Sequence, residues 1–199
     1  MDSKQTAFVA IMSALGTFLS GITLHVAPIS INLPGQGGAA LDLSHVATFI
    51  AAIFGGPYIG ALTGFLSGIY AGYYFGYVIG SLGLVSLIGV PIGKALTGLA
   101  AGFLYKKLVK NTSKSSTLSI PIILISYIPE CIFTVFYFLY LLPFMIPIVI
   151  PKAWIEIAIM SFLIGALVGN TGFKEFILRF FSTPKIEKTP NIMVKRKKQ

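Results

Sequence analysis

The sequence predicts an all-α, polytopic membrane protein, and three observations carry that prediction. Of 199 residues, 55% are hydrophobic and 11% charged, with a mean hydropathy of +0.86. Soluble domains carry about 25% charged residues, so this chain has too little charge to cover a water-facing surface. Long apolar runs alternate with short stretches rich in glycine, proline and polar residues. Thirteen of the fifteen Lys and Arg residues fall in three segments: Lys4, residues 106–114 and residues 174–198. Those are the places where membrane helices end. The net charge of +9 is therefore read as an orientation signal and not as a nucleic-acid footprint. The composition also argues against disorder and against a disulfide scaffold. The lone Cys131 lies in an apolar run and reads as a small hydrophobe.

A spanning helix needs about 20 residues. The first candidate covers residues 6–24. Asp2 and Lys4 precede it without a clear cleavage site, so no removable signal peptide is expected. Residues 26–41 contain Pro28, Asn32, Pro34, Gly35, Gln36, Gly37 and Gly38, a density that breaks helices. Two short apolar runs, 43–54 and 58–70, flank Gly55-Gly56-Pro57 and read as a helical hairpin with a tight turn. Residues 71–83 read as a connection, 84–108 as a fourth long helix and 111–119 as a polar basic loop. The fifth helix is expected over 120–142, and Pro143, Pro147 and Pro151 punctuate the next connection. The sixth is expected over 152–181. The domain plan is therefore a six-helix membrane domain, 1–182, and a basic, disordered cytoplasmic tail, 183–199.

Six helices place both termini on one side, and the positive-inside rule assigns that side to the cytoplasm of a cell-membrane protein. The outer connections are then 26–42, 71–83 and 143–151. They are nearly neutral and rich in turn residues and aromatics, as suits a ligand-binding mouth.

An ionisable group inside a bilayer costs about 2.5–3.5 kcal/mol on insertion scales, so each one needs a reason. Lys94 and Glu130 are expected at similar depth, roughly 15–18 Å below the outer helix ends. They make either a structural ion pair or part of a ligand cavity. Tyr127, Glu130, Thr134 and Tyr137 fall at i, i+3, i+7 and i+10, one helical face, which points to the bundle interior or a wet cavity. Lys152, Trp154 and Glu156 open the sixth helix beside the mouth. Lys152 and Glu156 are spaced to pair, and Trp154 is either an interfacial anchor or a ligand contact. Asp42 or Ser44 is the expected N-cap of helix two. His25 and His45, with no nearby Cys or Glu set, do not argue a metal site. No nucleophile–base constellation, Walker-type loop or dinucleotide fingerprint is visible, so neither an enzyme nor a resident cofactor is expected. ATP-driven transport would need another subunit to supply the energy.

Helix one carries Ala7, Ala10 and Ala14, and Ala10-Ile11-Met12-Ser13-Ala14 is a small-x-x-x-small pattern that lets another helix approach closely. With the six-helix plan, the long first outer loop, and Asp42-Leu43-Ser44-His45-Val46 followed by Gly56-Pro57-Tyr58-Ile59-Gly60, the chain resembles an S component. These are the substrate-binding subunits of energy-coupling factor vitamin transporters, and the riboflavin-type branch is the most similar. The resemblance covers about residues 4–181. It implies that the alanine strip contacts a T component and that two ATPases drive uptake. It also implies a vitamin-class ligand held near the outer face by the first outer loop and helices four to six. By position it implicates Asn32, Gln36, Lys94, Tyr127, Glu130, Lys152, Trp154 and Glu156. The rival expectation is a self-sufficient secondary transporter that uses Lys94 and Glu130 as an ion-coupling pair.

Overall fold

The computed structural model describes residues 1–26, 30–33, 37–80, 82–109 and 115–181. The expected tail and Gln36 lie outside the described residues. The body is helical, with one short antiparallel hairpin. In chain order the elements are α1 (Ser3–Gly21), β1 (Ser30–Leu33), β2 (Gly37–Ala40), α2 (His45–Gly55), α3 (Pro57–Tyr73) and α4 (Gly83–Leu108). They continue with α5 (Ser115–Ser126), α6 (Ile128–Leu141), α7 (Ile146–Gly169) and α8 (Thr171–Phe181). β1 pairs with β2 in a register that sets Asn32 opposite Gly38.

Among the described residues, four stretches are long and apolar enough to cross a membrane: Ser3–Val26, Gly83–Leu108, Ser115–Leu141 and Pro143–Gly169. The two short runs expected as a helical hairpin are α2 and α3. The hairpin turns at Gly56, whose φ of +92° favours a residue without a side chain. α2 has 11 residues, about 16 Å of helix, half of the roughly 30 Å hydrocarbon layer.

Local chemistry sets the ends. Asp2 caps α1 by accepting from the Gln5 amide at 2.7 Å, and Gln5 Oε1 accepts in return from the Asp2 amide at 3.1 Å. The expected fifth helix is two pieces, α5 and α6, hinged at Tyr127. Pro129 lacks the N–H that would close the turn there. The expected sixth helix differs at both ends. α7 begins at Ile146, with Pro147 in its first turn where no donor is lost, so Lys152 lies inside the helix and not at its start. It stops at Gly169, and Asn170 Oδ1 accepts from the Phe173 amide at 2.9 Å to start α8. The expected connection 71–83 is mostly helical: α3 runs to Tyr73 and passes into a π-turn over Tyr74–Val78. Tyr74 Oη donates to the Leu24 carbonyl at 2.9 Å and ties that turn to the π-turn Ile22–Val26 that follows α1.

α3 and α4 form the tightest seam. Gly60, Gly64, Gly68, Gly72 and Gly76 recur every fourth residue and lie against the α4 backbone. A methyl group at Gly60 would sit 2.7 Å from the Gly98 carbonyl oxygen, and one at Gly68 would sit 2.7 Å from Pro91 Cα. With no hydrophobic drive between helices in lipid, such direct backbone contact is what dispersion forces require. α1 buries Phe8, Val9, Met12 and Ser13, with Phe8 against Phe180 and Phe181 of α8, and leaves Ala7, Ala10 and Ala14 exposed.

Candidate functional site

A cavity of about 250 Å³ opens between α2, α4, α6 and α7, at the ends of α4, α6 and α7 remote from Lys106 and Lys107. Between positions 5 and 105, and again between 115 and 173, the charged residues are Asp42, Lys94, Glu130, Lys152 and Glu156. All five line this one cavity. Asp42, Lys94, Glu130 and Glu156 are each less than a tenth exposed.

Each element delivers its side chain for a local reason. Because α2 is short, the segment before it descends into the bundle and carries Asp42 and Ser44 with it. Lys94, on α4, reaches Asp42 Oδ2 at 2.5 Å and also donates to Ser44 Oγ. Asp42 Oδ1 accepts from the Ser44 amide at 3.0 Å. Ser44 occupies the N-cap position of α2 without a side-chain capping bond, so Asp42 and Ser44 serve the ion pair in place of the expected cap. Gly93 lets Glu130 lie directly against α4, with Cγ 3.1 Å from where a methyl group would sit. Glu130 Oε2 lies 3.1 Å from His45 Nε2 and accepts from Thr97 Oγ1. On α7, Glu156 Oε1 accepts from the Asp42 amide at 2.6 Å and pairs with Lys152 at 3.2 Å. Lys152 also lies over the Phe75 ring, 4.6 Å from its centre.

The expected Lys94–Glu130 pair does not form. Lys94 turns to Asp42, and Glu130 turns to His45 and Thr97. The stripe Tyr127, Glu130, Thr134 and Tyr137 faces the cavity as a set. Lys152 and Glu156 pair as their spacing suggests, yet inside the cavity wall and not on the surface. Trp154 is absent from the wall. It packs edge-to-face on the cavity-lining Tyr127, with ring centres 5.1 Å apart. Residues two apart on a helix point well away from each other, so Trp154 does not stand beside Lys152 and Glu156 in the wall. Asn32 is in β1, at a backbone position only. Asp42, His45 and Phe75 are cavity residues that were not among the expected ligand contacts. Asp42 had a readable signal, since a charge amid apolar runs demands a partner.

The rest of the lining is apolar and aromatic: Phe75, Val85, Phe133, Tyr137, Ile148 and Val149 among others. Phe133 and Tyr137 stack with ring centres 5.3 Å apart, and Tyr137 Oη donates to the Val85 carbonyl at 2.9 Å. A charged floor under apolar walls is the chemistry of a site for a small organic molecule. No protein-family model, curated protein or solved structure matches the chain.

Proposed function

We propose that this chain is the substrate-capture subunit of an ATP-driven importer of the energy-coupling factor type. On this reading the α2–α3 hairpin completes a six-helix membrane domain with both termini in the cytoplasm. The cavity then opens outward, because Lys4, Lys106 and Lys107 mark the cytoplasmic ends. A vitamin-class or related small molecule enters from outside and binds over the charged floor. A separate T component and its ATPases supply the energy. The convergence of Asp42, Lys94, Glu130, Lys152 and Glu156 on one cavity carries the proposal. Groups that are costly to hold in a membrane are gathered where a ligand would meet them. The outward-facing Ala7, Ala10 and Ala14 supply a small-residue strip suited to close docking of a partner helix. The rival secondary carrier drew on a Lys94–Glu130 pair, and those side chains take different partners.

Replacing Ala10 and Ala14 by Trp tests the coupling role. Both side chains are exposed, so the fold and ligand affinity are expected to stay unchanged while ATP-driven uptake in the complete transporter is lost. Retained uptake would remove the strip from the coupling interface. Uptake by the isolated chain in liposomes, without ATP or partners, would replace the proposal by a self-sufficient carrier.

A further inference from the structure

We infer that a second pocket, under α8, seats the phosphate of an anionic phospholipid from the leaflet at the Lys106–Lys107 end of α4. The inference needs the membrane spans and goes beyond the capture reading, on which it does not rest. The pocket, of about 210 Å³, lies between the ends of α2 and α4, the start of α5 and the flank of α8. Ile53, Phe54, Val109 and Leu178 supply apolar walls, and Lys174 and Ser115 supply a polar edge. Neither the Lys174 ammonium nor the Ser115 hydroxyl has a hydrogen-bond or ion-pair partner among the described residues. α8 follows directly on the apolar stretch Pro143–Gly169, so this level is where lipid head groups meet the protein.

Charge complementarity names the occupant. The acidic residues of the chain are Asp2, Asp42, Glu130, Glu156, Glu175 and Glu187. Asp42, Glu130 and Glu156 line the cavity remote from this end, Asp2 caps α1, and Glu175 pairs with Arg179 at 3.5 Å. Glu187 lies outside the described residues. No carboxylate lines the second pocket, and Lys106 and Lys107 occupy the last turn of α4. A basic pocket between helices at this level suits an anionic lipid head group. The apolar surroundings select lipid over a free phosphate or an acidic protein. α8 turns Ile177 into the bundle and packs Phe173 on Phe54, with ring centres 6.1 Å apart. Phe176, by contrast, is 71% exposed on the same helix as Lys174. On α4, Leu99 and Phe103 are exposed two turns and one turn before Lys107. Apolar side chains beside basic groups are what a surface shared by acyl chains and head groups requires.

The full chain, purified in detergent, is mixed with equal amounts of dioleoylphosphatidylglycerol and dioleoylphosphatidylcholine. The lipid retained on the protein is counted by native mass spectrometry. Phosphatidylglycerol is expected to be retained at least about fivefold over phosphatidylcholine, the worth of one lysine beside an anionic lipid. Lys174→Gln should bring that ratio close to one. Val109→Trp fills the pocket without changing a charge and should do the same. Lys174 is exposed and Val109 is half-buried at a helix end, so both variants are expected to fold. Lys106→Gln and Lys107→Gln leave the pocket intact and should each keep most of the preference. If Val109→Trp fails to fold, the contrast between Lys174→Gln and Lys107→Gln decides. An equal loss in those two variants would trace the preference to general attraction by the basic helix ends and overturn the inference. So would a wild-type ratio near one, or a preference that survives both Lys174→Gln and Val109→Trp. Displacement of the lipid by equimolar inorganic phosphate would make the site one for free phosphate, and displacement by polyglutamate one for an acidic protein; either overturns the lipid class. Loss of the lipid preference would leave the capture proposal standing, and uptake that survives the alanine-strip variant would leave the lipid site standing.

Discussion

α4 faces two neighbours with the same residue type and opposite results. Toward α3, Gly98 and Gly102 meet the backbone at Gly60 and Pro57, and the helices close to main-chain contact. Toward α6, Gly89 and Gly93 meet the Tyr137 ring and the Glu130 side chain, and a cavity remains beyond them. A glycine therefore does not by itself bring helices together. What stands opposite decides whether the freed space becomes a seam or a socket. The seam gives rigidity to the half of the molecule that carries Lys94, and the socket lets large polar groups lie flat against that rigid half.

The largest effect should come from filling the seam. Gly64→Leu puts a branched side chain against the Lys94 backbone, and no flexible neighbour can give way. More than about 3 kcal/mol of destabilisation is expected, read as loss of monodisperse protein in detergent. Tolerance of leucine there would mean that α3 and α4 are not packed main chain to main chain. Next comes the floor of the socket. Lys94→Met strands the Asp42 carboxylate, a change expected to cost about 3–5 kcal/mol, and the melting temperature in detergent reports it. Adding Asp42→Asn should restore most of the loss, because no bare charge is then left. An additive double variant would show that the two side chains do not depend on each other. The smallest effect sharpens the contrast at the socket's rim. Tyr137→Phe removes one hydrogen bond to the Val85 carbonyl and should cost about 1 kcal/mol. A much larger loss would make that bond, and not ring stacking on Phe133, the main support of the wall.

Much of this was readable in the chain. The long apolar runs, the Gly55-Gly56-Pro57 turn and the polar stripe on α6 follow from composition, turn chemistry and the 3.6-residue period, all local. That Trp154 does not stand beside Lys152 and Glu156 was also readable, since it sits two residues from each. So was the run of glycines from Gly60 to Gly76, which is longer and more regular than the alanine strip that drew notice. What could not be read is which partner each charge takes. That depends on α2 stopping halfway and letting Asp42 arrive beside Lys94, a matter of three helices together. The helical nature of residues 74–78 was hidden for a similar reason. Tyr and Gly form helices poorly on their own, and contacts with Leu24 and Gly83 hold them there.

The brevity of α2 has a consequence for assembly. Where a helix starts inside the bundle, the chain leading into it brings buried peptide groups with it, and these need hosts from other elements. The Asp42 amide finds Glu156, contributed from more than a hundred positions downstream. That acceptor does not exist until α7 has been synthesised. The Asp42 amide therefore gains this partner only once the last long helix has docked.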